Sequence, residues 1–248
     1  MRTPPHFMTA LITPFDEGGD IIVEAHHHNL QLQFSRGVNG FVLGGSTGEG
    51  PYLEPDERRL LVGEARTELG PEPFIMCGVA AQSVRQAISQ VDEIAAGGAD
   101  AALVMTPTGL ARGNHDAVRR FYEAVADASS LPIFLYSVPP VTGYDLPTEY
   151  AAELSEHANI VGLKDSAGRP LHTKHVVQTS AEGFLVYSGS SSALTQAIAG
   201  GAVGAITASA NYLTELVSAV VLTASESVSR AESLQAQLTA ATRAIEAY

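Results

Sequence analysis

Eight short apolar runs, each followed by a stretch of helical periodicity, are what most constrain the fold of this 248-residue chain. The runs cover residues 7–13, 40–45, 74–79, 101–106, 132–138, 160–166, 184–189 and 202–208. The stretches at 22–36, 55–68, 83–96, 115–126, 148–155, 171–179, 192–199 and 213–223 read as amphipathic helices. Several open with proline and acids in the first turn, as in Glu54-Pro55-Asp56-Glu57 and Leu146-Pro147-Thr148-Glu149. Gly37, Gly97-Gly98 and Gly200-Gly201 stand where helices should stop. The alternation makes an α/β protein, and eight units in series are what a (β/α)8, or TIM, barrel needs; a doubly wound sheet usually has fewer. No Pro/Ser-rich linker divides the chain, so the expected organisation is a barrel over residues 1–223 and a C-terminal helix over 224–248.

In such a barrel the active site gathers at the C-terminal strand ends and the loops beyond them. Those ends carry Thr13, Gly45-Ser46-Thr47-Gly48-Glu49, Thr106, Tyr136, Lys164 and Ser188-Gly189-Ser190. Lys164 stands out because the chain has only two lysines, Lys164 and Lys174, among 14 basic residues. An ammonium at the end of an apolar strand is costly to desolvate, and a neutral amine there is a nucleophile that forms Schiff bases with carbonyl compounds. The alternative is a strand-terminal lysine that reaches solvent along its stem. Side chains alternate along a strand, so if Lys164 points inward, Gly162 and Ser166 do too, while Leu163 and Asp165 face the helices. Small inward neighbours would leave room for a ligand.

Other motifs are weaker alone. Gly44-Gly45-Ser46-Thr47-Gly48-Glu49-Gly50 can cradle a carboxylate or phosphate on backbone amides and two hydroxyls, or can be a plain turn; it lacks the ending of a Walker A loop. Glu49 reads as structural, holding the loop or capping the next helix. Tyr136 is either a proton relay or a satisfied core phenol. His26-His27-His28 lie on one helix about 100° apart, so they cannot converge on one ion and read as a partly solvated face. The serine run Ser188-Gly189-Ser190-Ser191-Ser192 lacks a nucleophile elbow and reads as a substrate-facing loop.

A net charge of −13 disfavours nucleic acid or an anionic membrane as partner. Cys77 is the only cysteine, so neither an intrachain disulfide nor a CxxC metal site is available. No apolar run approaches a membrane span and no signal region opens the chain, so the expected location is the cytoplasm.

Taken together, Thr9-Ala10-Leu11-Ile12-Thr13-Pro14-Phe15, Gly45-Ser46-Thr47-Gly48-Glu49, Leu135-Tyr136-Ser137-Val138-Pro139, Gly162-Leu163-Lys164-Asp165-Ser166 and Gly204-Ala205-Ile206-Thr207-Ala208 resemble the dihydrodipicolinate synthase/N-acetylneuraminate lyase family of pyruvate-dependent class I aldolases, from about Met8 to the final helix. The resemblance implies that Lys164 forms the imine with pyruvate or another 2-oxo acid, with Tyr136 and Thr47 as catalytic partners. It implies that Ser46, Thr47, Gly48, Ile206, Ser188 and Gly189 bind substrate, that no metal or other cofactor is needed, and that the protein assembles as a dimer or tetramer.

Three departures bear on the reaction. Val141 stands where members making dihydrodipicolinate usually carry an arginine for the second substrate's carboxylate. Thr106-Pro107 leads into Thr108-Gly109-Leu110, where the family usually has a tyrosine pair. The family commonly has further C-terminal helices, whereas this sequence stops at Tyr248, in what reads as the first of them, so the extension is short or truncated. The leading expectation is an aldolase acting on a 4-hydroxy-2-oxo acid or a 2-keto-3-deoxy sugar acid. Dihydrodipicolinate synthase, joining pyruvate to aspartate semialdehyde, is the alternative within the class, and a non-catalytic 2-oxo-acid-binding relative is the alternative outside it.

Overall fold

The computed structural model describes residues 2–109 and 113–246, so Leu110 and Tyr248 of the readings above lie outside the described residues. Eight parallel strands close into a barrel in sequence order, with β1 paired to β8. They are β1 (Phe7–Ala10), β2 (Gly40–Leu43), β3 (Phe74–Val79), β4 (Ala101–Met105), β5 (Ile133–Ser137), β6 (Ile160–Asp165), β7 (Leu185–Ser188) and β8 (Gly204–Thr207). The outer layer holds α1 (Val23–Ser35), α2 (Glu57–Leu69), α3 (Val84–Gly97), α4 (His115–Ala128), α6 (Thr148–Ser155), α7 (Pro170–Thr179), α8 (Leu194–Ala199) and α9 (Thr214–Glu226). A one-turn helix, α5 (Pro139–Thr142), follows β5, and α10 (Val228–Glu246) packs on α8 and α9.

Most strands end earlier than their apolar runs. Thr13, Thr106, Ser166 and Gly189 therefore lie in the loops at the barrel mouth. Hydrophobicity persists past the last ladder bond because the loop roots are buried too: Leu11 and Thr106 are each 1% exposed.

Strand alternation divides the apolar side chains between two cores. Met8, Val42, Met76, Leu103, Phe134 and Tyr187 fill the barrel. Phe41, Ile75, Val104, Leu135, Leu163 and Val186, one residue out of phase with these, pack under the helices. Gly162 belongs to the inner set, but the space beside it is not free. A Cβ built there would lie 2.4 Å from the Phe134 ring and 2.4 Å from the Leu185 carbonyl oxygen. The glycine admits the phenylalanine, which plugs the barrel below the mouth, rather than a ligand as its size suggested.

The three histidines of α1 point three ways. His26 is buried, with Nε2 3.1 Å from the Leu61 carbonyl oxygen; His27 meets Glu64 and Glu68 on α2; His28 is exposed. The expected solvated face is thus corrected for His26, which burial holds below its usual pKa despite the Leu61 contact. Among the described residues no group of His, Cys, Asp and Glu is placed to hold a metal ion, and no helix is long and apolar enough to cross a membrane.

Candidate active site

The barrel register brings the inward residues of β5, β6 and β7 level, with Lys164 beside Tyr136 on one strand and Tyr187 on the other. Lys164 is 3% exposed, so its stem does not carry the amine to solvent. Its Nζ lies 3.4 Å from the Tyr136 hydroxyl and 4.5 Å from the centre of that ring. The Tyr136 hydroxyl is in turn 2.6 Å from Ser46 Oγ, at the root of the glycine-rich loop after β2. Amine, phenol and alcohol form a chain in which each polar atom has a partner, although Tyr136 is itself 2% exposed. Burial alone would push the Tyr136 pKa up. That is the largest single effect, but the positive charge of Lys164 and hydrogen bonds from Ser46, Lys164 and Ser166 together outweigh it, and the phenol falls below its usual pKa of 10.0.

Buried contacts hold the Ser46 loop. The Thr13 hydroxyl donates to the Gly48 carbonyl oxygen at 2.7 Å. Arg58 of α2, 2% exposed, donates to the carbonyls of Gly50 and Leu53 in the next turn. Glu49 takes a left-handed backbone conformation at φ 57° and its exposed side chain caps nothing, so the loop rests on Thr13 and Arg58 instead of the expected glutamate. Thr47 is half-buried beside Ser46, but it is Ser46 that reaches Tyr136. Ile206 is fully buried in the inner core.

At β7 the structure separates two residues expected to act together. Ser188 lies on the Val186 face of its strand, away from Tyr187, and its hydroxyl is spent on Ser190. Gly189 lies at the mouth. Its amide donates to the Asp165 carbonyl oxygen at 2.7 Å, and a Cβ built on it would fall 1.9 Å from Ser166 Oγ. Gly189 thus makes room for Ser166, a site residue missed above although its inward phase was legible. Beside them opens a cavity of ≈ 500 Å³ walled by Ser166, Gly189, Ser190, Ser191, Ser192 and Ser209, among others. At β4, Gln82 accepts from the amides of Thr108 and Gly109 and donates to the Thr108 hydroxyl, so the start of this loop is latched to the β3–α3 turn.

Asp165, next to Lys164 but facing the helices, fixes the end of β6. It accepts from the Thr173 hydroxyl at 2.8 Å and the Ala167 amide at 3.0 Å, and His172 Nδ1 lies 3.0 Å away. His172 Nε2 is 3.1 Å from the Leu146 carbonyl oxygen, so both ring nitrogens face acceptors and the imidazolium suits the site. The Asp165 hydrogen bond raises the His172 pKa above its usual 6.5, against desolvation. Desolvation would raise Asp165 as well, but His172, Ala167 and Thr173 together hold it below its usual 3.8.

The folded state therefore binds the His172 proton more tightly than the unfolded chain does. That stabilisation is complete below about pH 6.5 and is lost as pH rises through the raised value. The Asp165 contribution is present above about pH 4 and is lost as pH falls through the depressed value. His172→Leu should lower stability by about 2 kcal/mol near pH 6 and by much less near pH 9, read by thermal melts at both. Equal losses would mean that the ring only packs.

Comparison with known proteins shows the family of the chain. The profile of the dihydrodipicolinate synthetase family matches residues 4–246. The 4-hydroxy-tetrahydrodipicolinate synthase of Xanthomonas axonopodis pv. citri is 36% identical over 206 residues, covering 83% of this chain and 68% of that protein. That of Acidiphilium cryptum is 34% identical over 213 residues, covering 84% and 71%. The structure of chloride-inhibited dihydrodipicolinate synthase from Acinetobacter baumannii complexed with pyruvate is 29% identical with a TM-score of 0.90, covering 96% of this chain and 81% of that one. The 4-hydroxy-tetrahydrodipicolinate synthase structure from Methylacidiphilum fumariolicum gives 29% and 0.91, covering 97% and 80%.

Proposed function

Because the chain belongs to the dihydrodipicolinate synthetase family of carbon–carbon lyases, we propose that it joins pyruvate to an aldehyde, or cleaves the product, through an imine on Lys164. The observation that carries this reading is the buried chain from Lys164 Nζ through the Tyr136 hydroxyl to Ser46 Oγ.

In this mechanism the neutral Lys164 amine attacks the keto carbon of pyruvate. The keto oxygen takes one proton shed by the attacking amine and one from Tyr136 and leaves as water, while Ser46 hydrogen-bonds the phenolate that results. The protonated imine draws electrons from the adjacent methyl carbon. The Tyr136 phenolate takes a proton from it to give an enamine, whose carbon attacks the aldehyde as the aldehyde oxygen takes that proton up. Water then returns to the imine and frees Lys164. The amides and hydroxyls of Ser46 and Thr47 hold the pyruvate carboxylate, with Gly48 and Ile206 lining its pocket and Gly189 at the mouth. Self-association as a dimer or tetramer is part of the same proposal.

For the acceptor, the names of the relatives support aspartate semialdehyde over the aldolase substrates first expected. A second reading, a neutral hydroxylated aldehyde, is favoured by this chain's own residues. Val141 on α5 is 54% exposed and cannot pair with a carboxylate, and among the described residues no charged one lines the serine-walled cavity.

Incubation with pyruvate, borohydride reduction and peptide mapping tests the shared chemistry. One adduct is expected on the Lys164 peptide, and none on the exposed Lys174. A folded sample that yields no adduct with any 2-oxo acid would refute the mechanism, and an adduct without turnover on any aldehyde would favour the non-catalytic binder.

A further inference from the structure

β8 ends at Thr207, the partner of Thr9, and the chain then enters a single 3-10 turn, Ser209–Asn211. Past Thr9, therefore, no strand among the described residues flanks β1 on its β8 side, yet residues 10–13 run on to the barrel mouth. On the β2 side the Leu11 amide donates to the Val42 carbonyl oxygen at 3.0 Å. In a parallel ladder, a residue opposite Leu11 would donate to the Ala10 carbonyl oxygen and accept from the Ile12 amide. Asn211 makes both bonds with its side chain. Its Nδ2 donates to the Ala10 carbonyl oxygen at 2.8 Å, and its Oδ1 accepts from the Ile12 amide at 3.3 Å. Nδ2 also donates at 2.8 Å to the carbonyl oxygen of Ala208, where β8 turns away. A carboxamide carries the donor and acceptor of a peptide group, so it can stand in for a strand residue. Gln33 of α1, buried, steadies the turn from the helix layer. It donates to the Asn211 carbonyl oxygen at 3.3 Å and accepts from the hydroxyls of Thr9 and Thr214.

The stretch held in this way is the bed of the glycine-rich loop. The Thr13 hydroxyl donates to the Gly48 carbonyl oxygen. A Cβ built on Gly48 would lie 2.7 Å from the Leu11 carbonyl oxygen and 3.1 Å from Thr13 Oγ1, so the loop backbone rests directly on residues 11–13. Ile12 between them is exposed, and its hydrogen bond to Asn211 holds it where packing does not. A shift of this stretch is passed to Gly48 and from there to Thr47 and Ser46, the residues before it.

We propose that Asn211 is a positioning residue for the 2-oxo acid: by continuing the β1–β8 pairing past its last strand pair, it fixes residues 10–13 and, through Thr13 and Gly48, the Ser46 and Thr47 groups that hold the substrate carboxylate. This rests on the imine mechanism above, in which those groups bind pyruvate. Asn211 takes no part in the bond-making steps, so its loss weakens pyruvate binding and spares the chemistry at Lys164.

The test measures the rate of borohydride trapping against pyruvate concentration, with thermal melts, in the wild type, Asn211→Ala, Asn211→Asp, Thr13→Val and the double variant Asn211→Ala/Thr13→Val. Asn211→Ala should raise the half-saturating pyruvate concentration about 3–10-fold, the worth of one neutral hydrogen bond, and lower the limiting rate less than about twofold. Asn211→Asp keeps the acceptor for Ile12 but turns an oxygen towards the Ala10 and Ala208 carbonyls, so it should show a rise of similar size. It also tests the proposal should the alanine variant fail to fold. Thr13→Val removes only the hydroxyl on Gly48 and should match Asn211→Ala. In the double variant the two rises should not multiply, because both act on Gly48 along one path, whereas independent effects would multiply. A merely structural role would lower the melting temperature without this coupling and without separating half-saturation from limiting rate. Unchanged half-saturation in the folded Asn211 variants, a fall in limiting rate alone, or rises that multiply would each overturn the proposal and leave the imine intact. No trapping in the wild type would overturn it together with the mechanism on which it rests.

Discussion

Lys164→Ala should lose turnover by about 10⁴-fold or more and give no borohydride-trapped adduct, while the protein remains folded. The loss is large because nothing nearby among the described residues replaces the nucleophile. The neighbouring polar groups are a phenol and serine hydroxyls, and Lys174, the other lysine, is exposed on the outer helix α7. Folding should survive because two effects oppose each other. Truncation forfeits the packing of a buried stem, but it also removes an amine that must be desolvated at 3% exposure. Lys164→Arg should fail as well, since a guanidinium keeps its charge and cannot form the imine. Thermal melts of both variants beside the trapping assay separate lost chemistry from lost structure. An adduct surviving in Lys164→Ala would place the imine elsewhere.

Tyr136→Phe should lower kcat about 10²–10⁴-fold, the usual range for loss of a positioned acid–base group, and leave slow pyruvate trapping detectable. The substitution removes one oxygen from a site 2% exposed and leaves the ring in the inner core, so the change to packing is small. It also leaves Ser46 Oγ without its partner at 2.6 Å. The pH dependence carries a second signature. Because Lys164 and the hydroxyls around it draw the phenol below 10.0, the wild-type alkaline limb should begin below that value and should be missing from the residual activity of the phenylalanine variant. A wild-type profile flat through this range, with unchanged kcat in the variant, would reduce Tyr136 to a core phenol.

Much of this architecture was legible because the physics that decides it is local. A strand buried on both faces needs an uninterrupted apolar run, and eight such runs with helical stretches between them leave few ways to pack. Alternation placed Lys164 inward and Asp165 outward, as found. The same rule, applied one strand further, would have turned Ser188 away from the site. What stayed hidden depends on contacts between distant segments. That Phe134 claims the space of Gly162, that Ser46 rather than Thr47 meets Tyr136, and that Thr13 and Arg58 hold the loop assigned to Glu49 follow from how separate loops meet. The contact of α10 with the serine turn lies further still from any local pattern, since Gln235 and Ser191 are 44 residues apart.

Closure of the barrel between β1 and β8 has a consequence for how the protein is made. Phe7 pairs with Ala205 and Met8 with Ile206, so the first strand waits for a partner synthesised nearly two hundred residues later. At about 5–20 residues per second the nascent chain spends roughly 10–40 s with that hydrogen-bonding edge open. Parallel pairing of such high contact order is slow and leaves intermediates prone to association through unpaired edges. Lys164 emerges before the last two strands, so an immature barrel already carries the reactive amine without the walls that give it selectivity. Chaperone dependence and a slow refolding phase should therefore track the β1–β8 seam rather than the catalytic centre.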